Sequence, residues 1–229
     1  MQDEPIVFVV DDDEAVRDSL SWLIESAGLR VECFASAKEF LDAYDDDQPG
    51  CVVLDVRFPG MSGLSVQERL RSLGAMIPVI VISGHADVST AVRAMKSGAI
   101  DFLEKPFREH VFLDRIENAL RMDKEMRRAR AFRSELAVRY ELLTPRERET
   151  MALVVAGESN KGVARRLRVS HKTVEAHRAH VMSKMQADSL ADLVRMSVVL
   201  ASGADDPPGG SDDAPHGLRR PRLRHPPRR

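Results

Sequence analysis

The chain has 229 residues, of which 43% are hydrophobic and 31% charged, with a formal net charge of -2. This length allows two small globular domains, and two cysteines, Cys33 and Cys51, are too few for a disulfide framework or a cysteine-based zinc site. The amino terminus lacks the basic start and apolar core of a signal peptide, and no run of about 18 apolar residues exists, so we expect a soluble, cytoplasmic protein with no membrane partner.

Charge is unevenly divided along the chain. Residues 1 to 121 hold 12 Lys and Arg against 22 Asp and Glu, whereas the remainder holds 22 against 14. A basic second half suits a polyanionic partner, and an acidic first half suits cations or phosphate with a metal. Simple solvated charge is the alternative explanation.

Short apolar segments alternate with helical patterns over the first 120 residues. The predicted strands cover residues 6–10, 31–34, 51–55, 78–82 and 100–104. A first helix is predicted to end at Gly28, and a second is predicted to begin at a capping box formed by Ser36–Glu39. Two further helices are predicted over about 64–72 and 88–97. The alternation predicts an α/β domain built on a five-stranded, doubly wound parallel sheet.

The second half has helical patterns only. A helix that begins near Arg108 is predicted to continue through a charged helical linker, for which a solvated face is the simpler interpretation. Thr144-Pro145-Arg146-Glu147 combines a capping box with proline at the first helical position. Four helices follow, over about 146–156, 160–167, 171–185 and 189–200, and the middle pair, joined by a three-residue turn with Ser170 as N-cap, predicts a helix-turn-helix.

From residue 201 onward the composition is dominated by Pro, Gly, Asp and Arg, which predicts a disordered tail. Its six arginines could add nonspecific affinity for nucleic acid, although a tail without a specific role is the simpler interpretation. The predicted division of the chain is a first domain over 4–121, a linker over 122–139, a second domain over 140–200 and a tail over 201–229.

The predicted strand ends carry polar groups to one edge of the sheet, where open parallel sheets bind ligands. These groups are Asp11, Asp12, Asp55, Ser83 and Lys105. Clustered carboxylates favour a hard divalent cation. We expect Mg²⁺, held by Asp12, Asp55 and the backbone carbonyl near Arg57, with Asp11 holding an ordered water.

Such a pocket would allow one oxygen of Asp55 to attack a phosphoryl donor and form an acyl phosphate. The metal and Lys105 would stabilise charge on the phosphoryl oxygens, and Ser83 would donate a hydrogen bond to one of them. In the simpler alternatives, Asp55 only caps a turn, and Asp11 and Asp12 belong to an acidic helix start that complements the helix dipole. A lone Lys105 would be a surface lysine, but it stands directly before Pro106 in a strand-to-helix loop, where a cis bond would help to point it into the pocket.

Five segments include or follow these strand ends: Val9-Val10-Asp11-Asp12-Asp13, Val53-Leu54-Asp55, Pro59-Gly60-Met61-Ser62-Gly63, Ile82-Ser83-Gly84-His85 and Phe102-Leu103-Glu104-Lys105-Pro106-Phe107. Together they resemble the receiver domain of two-component response regulators. The resemblance implies that Asp55 accepts a phosphoryl group from a histidine of a partner kinase. It also implies a switch that couples Ser83 to rotation of Phe102, which without the resemblance is simply a core aromatic residue.

The helix predicted over 171–185 is the candidate recognition helix. Lys172, Thr173 and Lys184 suit phosphate contacts, while Glu175 and Arg178 have the reach for base edges in the major groove of double-stranded DNA. His177 shares the apolar stripe of the helix, so the sequence allows either a partly buried structural histidine or a phosphate contact.

Three segments characterise the second domain: Leu143-Thr144-Pro145-Arg146-Glu147-Arg148-Glu149, Gly157-Glu158-Ser159-Asn160-Lys161 and the segment from Val169 to Arg178. Together they resemble the LuxR/FixJ-type DNA-binding domain. Receiver and DNA-binding domain together imply a FixJ-like transcriptional regulator, not an enzyme, that forms a homodimer on phosphorylation, with promoter DNA and RNA polymerase as partners. The resemblance implies a dimer contact on the last helix, whose apolar residues could equally belong to the domain core, and we expect both roles. Two residues depart from the pattern: Arg168 stands where many relatives have glycine, and Gly162 lies inside a helix, each at a cost of about 1 kcal/mol.

Two other functions stay open on the sequence alone. An aspartyl-phosphate enzyme such as a haloacid-dehalogenase-like phosphatase would want a second carboxylate two residues after the nucleophile, where Arg57 stands. A constitutive DNA-binding protein could carry the first domain as an interaction module. Arg57 in that place argues against the phosphatase, and the complete pocket argues against the constitutive DNA-binding protein.

Overall fold

The structure is a computed structural model, which describes residues 4–57, 62–84 and 88–202. Parts of two segments singled out in the sequence, residues 58–61 and 85–87, lie outside the described residues. The predicted disorder of the tail likewise concerns residues that are almost all outside them, from 203 onward.

The first domain is organised by five parallel strands in the order β2-β1-β3-β4-β5. The strands are β1 Ile6–Val10, β2 Arg30–Phe34, β3 Gly50–Asp55, β4 Val79–Ser83 and β5 Asp101–Glu104. Every residue of β1, β3 and β4 is buried, as expected for apolar strands covered on both faces. The predicted doubly wound sheet is confirmed, with β1 at its predicted limits and the other strands differing by one residue at one or both ends.

Helices cover both faces of this sheet. They are α1 Glu14–Ser26, α2 Ala37–Ala43, α3 Gly63–Ser72, α4 Val88–Lys96 and the first part of α5 Glu109–Glu141. One core cluster joins Phe8 of the sheet to Phe40 and Ala94, and a second joins Val9 to Ile24 and, through further buried residues, to α5. The sheet is therefore a central layer whose carboxyl edge is left for loops.

The capping box predicted at Ser36 is only half formed. The Ser36 hydroxyl accepts the N–H of Glu39 at 3.2 Å, but the Glu39 carboxylate accepts the N–H of Ala35 rather than that of Ser36. Ser36 has φ −147°, whereas Thr144, whose capping box is complete, has φ −66°. The more extended backbone at Ser36 directs its N–H differently, so the carboxylate bonds to the preceding residue.

Helix α5 is continuous over 33 residues and contributes to the cores of both domains. Phe112 and Ile116 pack under the sheet, and Leu136 is fully buried in the core of the second domain. The prediction that the helix continues through the charged stretch is therefore confirmed, but that stretch does not have a purely solvated face, because Asp123 in it is buried.

The second domain is all-α, as predicted. Its helices are α6 Pro145–Val155, α7 Asn160–Leu167, α8 His171–Met185 and α9 Leu190–Ala201. Side chains of Thr144, Ser159, Ser170 and Ser189 cap the four amino termini. Val174, Val181 and Met185 of α8 face the core, which leaves the other faces of that helix outward. Both cysteines are free, and among the described residues no helix could cross a membrane.

Candidate functional site

The carboxyl ends of three adjacent strands and the loop after β5 meet at one edge of the sheet. Asp11 follows β1, Asp55 ends β3, and Ser83 ends β4. The Lys105 ammonium lies 2.6 Å from Asp11 Oδ2 and 2.9 Å from Asp55 Oδ1. Asp11, Asp55 and Ser83 thus lie at the edge predicted for them, and the lysine joins the two carboxylates directly.

The two carboxylates are buried, with Asp11 1% and Asp55 6% exposed. Burial alone would lower the pKa of Lys105, but its hydrogen bonds to Asp11 and Asp55 raise that pKa above the ordinary 10.5. Lys105 is therefore a fixed positive charge at neutral pH. The Lys105–Pro106 bond is cis.

Backbone groups orient the remaining oxygens. Asp55 Oδ2 accepts the N–H of Arg57 at 2.5 Å, and Asp11 Oδ1 accepts the N–H of Asp13 at 3.0 Å. Each carboxylate thus has one oxygen held by the loop that follows its strand and the other turned to Lys105. Both oxygens of Asp55 are therefore held in fixed directions, as preorganised reactive groups are.

The fit of these residues to Mg²⁺ can be judged from their donor atoms. Asp11 and Asp55 offer hard carboxylate oxygens on either side of a cation, the place that the Lys105 ammonium takes here. Asp12 is exposed, and no group of three acidic, His or Cys side chains converges in the described part of the chain. The two buried carboxylates therefore fit Mg²⁺, and the participation of Asp12 and of the Arg57 carbonyl stays a prediction.

Ser83 and Phe102, the predicted switch pair, lie on neighbouring strands. Ser83 is 1% exposed, and its carbonyl accepts the N–H of Lys105 at 2.8 Å. Phe102 is paired in register with Val81 and packs, half-buried, against the core cluster that contains Ala94 of α4. The backbone thus links Ser83 to the lysine of the site, and Phe102 lies between the sheet and α4.

Gly63 shapes the loop after Asp55. A Cβ atom on Gly63 would lie 2.0 Å from the Asp55 carbonyl oxygen, so no other residue fits without a shift of α3 or β3. The N–H of Gly63 donates to the Val56 carbonyl at 2.9 Å. The start of α3 is thereby pressed against the end of the strand that carries Asp55.

On α8, the predicted DNA contacts differ in exposure. Lys172 and Glu175 are exposed, while Thr173, His177 and Arg178 are partly buried. The half-burial of His177 is compatible with both roles considered for it. The outward face of α8 follows a short turn after α7, as in a helix-turn-helix.

Two family models match the chain. The model of the response regulator receiver domain matches residues 7–117, and that of the luxR family of bacterial regulatory proteins matches residues 141–197. The transcriptional regulatory protein FixJ of Bradyrhizobium diazoefficiens is 45% identical over 192 residues, which cover 84% of this chain and 94% of FixJ. The chain belongs to the FixJ-like response regulators.

Other relatives of this FixJ-like regulator agree. The response regulator TodT of Pseudomonas putida is 46% identical over 192 residues, covering 84% of this chain and 85% of TodT. The solved structure of the response regulator StyR covers 85% of this chain and 98% of its own, with 44% identity and a TM-score of 0.76. Full-length FixJ from B. japonicum covers 87% and 98%, with 42% identity and a TM-score of 0.53.

This family and architecture identify a phosphorylation-dependent transcriptional regulator of a two-component system. The family is one of transcription regulators rather than of typical enzymes. Its receiver and DNA-binding domains indicate a histidine kinase and DNA as partners, and receiver domains generally bind Mg²⁺ at the phosphorylation site.

In this FixJ-like regulator, Lys184 pairs with Glu147 of the same domain, a contact that its position in the sequence did not indicate. Its ammonium lies 2.7 Å from Glu147 Oε2 and 3.2 Å from the Leu142 carbonyl oxygen. Burial would raise the pKa of Glu147, but hydrogen bonds from Lys184 and Thr144 outweigh it and hold the pKa at about 2. Lys184 thus fixes α8 to the start of α6, and its predicted phosphate contact stays untested.

Arg178 is likewise engaged within the domain, since its guanidinium donates to Asn160 Oδ1 at 2.8 Å. This bond ties α8 to the first residue of α7. Gly162 lies in the first turn of α7, and a Cβ there would lie 2.3 Å from Glu158 Oε2, the end of a flexible side chain. Because that carboxylate can turn aside, the contact does not by itself require glycine at this position.

Proposed function

We propose that Asp55 is the phosphoacceptor of this regulator and that its phosphorylation controls binding of a dimer to promoter DNA. The observation that supports this is the Lys105 ammonium joined to both Asp11 and Asp55 at the carboxyl edge of the sheet. A buried, oriented carboxylate next to a fixed cation is the arrangement that phosphoryl transfer requires.

In the proposed transfer, an oxygen of Asp55 forms a bond to phosphorus while the bond from phosphorus to a kinase histidine nitrogen breaks. The product is an acyl phosphate, and the histidine leaves with the electron pair of the broken bond. Lys105 pairs with the phosphoryl oxygens, which takes it from its place between the carboxylates. Ser83, at the end of the next strand, donates a hydrogen bond to a phosphoryl oxygen.

Asp11, Asp12, Asp55 and the backbone carbonyl of Arg57 would hold Mg²⁺ at this edge. Bound Mg²⁺ supplies positive charge that offsets the negative charge of the phosphoryl oxygens. Asp11 and Asp55 are the best supported of these, because they are buried and already oriented around a cation.

The change at Asp55 would reach the protein surface through Ser83 and Phe102. A shift of Ser83 toward the phosphoryl group leaves space into which Phe102 turns, and this reshapes the surface of α4, β5 and α5. The receiver then favours a homodimer, to which α9 adds a contact. Two copies of α8 would reach half-sites about one helical turn apart, and the bound dimer would recruit RNA polymerase.

On the DNA, Lys172 and Thr173 would contact phosphates, and Glu175 and Arg178 would reach base edges. Lys172 and Glu175 have the exposure for this in the present structure. Arg178 would first have to leave Asn160. His177 would add a phosphate contact.

The test is incubation of the chain with Mg²⁺ and a small acyl phosphate, with mass and oligomeric state compared for wild type and Asp55→Asn. We expect a gain of one phosphoryl group and a monomer-to-dimer shift, both lost in the variant. An unmodified wild-type chain, under conditions that modify a control receiver, would contradict the proposal. Equal modification of Asp55→Asn would show that another residue is the acceptor.

A further inference from the structure

Helix α5 remains attached to the receiver beyond the predicted end of that domain at residue 121. Asp123 is 2% exposed, and its Oδ2 accepts the N–H of Gly50 at 3.0 Å. Gly50 is the first residue of β3, the strand that ends at Asp55. The helix therefore holds one end of the strand whose other end carries the proposed phosphoacceptor.

Arg127 extends this attachment to the loop before β3. Its Nε lies 2.9 Å from both carboxylate oxygens of Asp123, and its two terminal nitrogens donate to the carbonyls of Asp46 and Gln48 at 2.7 Å each. A planar guanidinium suits such a convergent set of oxygens in a way that a lysine does not. One side chain thus joins the helix to the loop backbone at several points.

A third residue completes the attachment on its outer side. Arg130 pairs with Asp46 Oδ2 at 2.7 Å, and the other oxygen of that carboxylate accepts the Tyr44 hydroxyl at 3.0 Å. Burial would raise the pKa of Asp46, but the hydrogen bonds from Arg130 and Tyr44 lower it. Asp123, Arg127 and Arg130 are called the α5 clamp below.

The strand beside the clamp has little freedom to move independently. A Cβ on Gly50 would lie 2.0 Å from the Ile6 carbonyl oxygen, so β3 begins in very close contact with β1. All six residues of β3 are buried. Because packed interiors transmit strain, a displacement at the Asp55 end is not absorbed within the strand.

The second domain is attached to the same helix a short distance further on. Leu136 of α5 is fully buried in the core of that domain. From Arg130 to Leu136 the helix rises about 9 Å, at 1.5 Å per residue. One uninterrupted helix is therefore fixed to the receiver through the clamp and to the DNA-binding domain less than two turns later.

We propose that the α5 clamp positions the linker helix so that phosphorylation of the receiver changes DNA binding by the second domain. Asp123 and Arg127 are positioning residues: they touch neither the reacting atoms nor DNA, and act through β3 and α5. This inference rests on the proposed function, because it assigns the path by which that switch is transmitted.

The experiment compares full-length wild type with Arg127→Ala and, as a matched control, Arg128→Ala, which removes an exposed arginine one residue further along. Each protein is treated with Mg²⁺ and an acyl phosphate, and phosphorylation is measured by mass. Affinity is then measured, with and without phosphodonor, for a duplex selected from random sequences by the phosphorylated wild type.

We expect phosphorylation to raise the DNA affinity of wild type and Arg128→Ala by a factor between about 5 and 150, the usual range of allosteric coupling. Arg127→Ala should be phosphorylated to a similar extent. Without phosphodonor it should bind DNA with the affinity of the unphosphorylated wild type. Phosphorylation should then change the DNA affinity of the variant less than about threefold. Faster hydrogen exchange over residues 122–135 should accompany this loss.

Full coupling in a phosphorylated Arg127→Ala would overturn the clamp proposal while leaving the phosphoacceptor role of Asp55 intact. A wild type that is not phosphorylated would overturn both proposals. If Arg127→Ala does not fold, Arg130→Ala provides the test, since its side chain is 60% exposed and its loss is tolerable. A coupling factor for Arg130→Ala equal to that of wild type would then overturn the proposal.

Discussion

Lys105 links the stability of the carboxyl edge of the sheet to the phosphoryl transfer proposed there. Its ammonium is the common partner of two buried carboxylates. We predict that Lys105→Met slows phosphorylation and lowers the free energy of unfolding by about 2 kcal/mol, because charged hydrogen bonds are removed. Urea unfolding followed by the fluorescence of Trp22, the single tryptophan, measures this. Lys38→Met, an exposed position on α2, is the control and should change neither quantity.

The ion pairs of Lys105 with Asp11 and Asp55 also predict that the stability of the fold depends on pH. The folded-state pKa of Lys105 lies above its ordinary value of 10.5, so its stabilising contribution is complete below that value. It is lost as the pH rises through the higher folded-state pKa. The stability difference between wild type and Lys105→Met should therefore shrink in strongly alkaline solution, and a difference that stays constant there would contradict the assignment.

Arg168 ends α7 in the left-handed conformation, with φ 56°, and Gln186 ends α8 with φ 55°. Side chains with a Cβ are disfavoured there, whereas glycine is not. We predict that Arg168→Gly and Gln186→Gly each raise the free energy of unfolding of the second domain by up to about 1 kcal/mol. Arg168→Ala keeps the Cβ and should give no gain, and equal gains for Gly and Ala would refute the conformational explanation.

At the level of elements, the contact of α3 with β3 limits what residue 63 can be. Gly63→Ala would place a methyl carbon against the Asp55 carbonyl oxygen, so the start of α3 must move. We predict a loss of about 1–3 kcal/mol in the free energy of unfolding, as for other overpacked sites, together with slower phosphorylation. Gly84→Ala, at the end of β4, meets nothing within 4 Å and is the control. Loss of stability in both variants would show that the close contact is not the cause.

The junction of α6 with α8 predicts an acid dependence of the second domain. The folded-state pKa of Glu147 is about 2, against an ordinary value of 4.5. Its stabilising contribution is therefore present above 4.5 and is lost as the pH falls toward 2. Glu147→Gln should lower the urea midpoint at pH 7. The difference between the midpoints of wild type and variant should narrow as the pH falls from 4.5 toward 2. Amide NMR signals of α6 and α8 follow the unfolding, and Glu149→Gln, on the exposed side of α6, should show no such narrowing.

Elements of this protein differ in how far the sequence could predict them. β1, β3 and β4 are apolar up to the polar groups at their carboxyl ends, so their limits were visible in the sequence to within a residue, as were those polar groups. The α5 clamp was not, because Asp123 and Arg127 look like one more pair of opposite charges four residues apart in a charged stretch. Their other partners are backbone groups 73 and 81 residues earlier in the chain, which no local pattern indicates. The internal partner of Lys184 is missing from the prediction for the same reason.

For the whole molecule, the division of charge has a direct consequence for DNA binding. The acidic receiver and the basic second half place the affinity for phosphate in the DNA-binding domain, but not every cation there is free to provide it. Lys172 is exposed on α8, whereas Lys184 on the same helix is held by the buried Glu147. Lys172 therefore presents its charge to solvent, whereas the charge of Lys184 helps to hold α8 against α6.

These two lysines give opposite expectations in a salt titration. The logarithm of DNA affinity falls with the logarithm of salt concentration by about 0.9 for each phosphate that the protein neutralises. We predict that Lys172→Gln lowers this slope by about 0.9 when one copy of the chain binds, and by twice that in a dimer. Lys184→Gln removes the same charge, but should leave the slope unchanged and lower the stability of the second domain instead. Equal reductions of the slope in both variants would show that Lys184 leaves Glu147 when DNA binds, so that its predicted phosphate contact is made only in the complex.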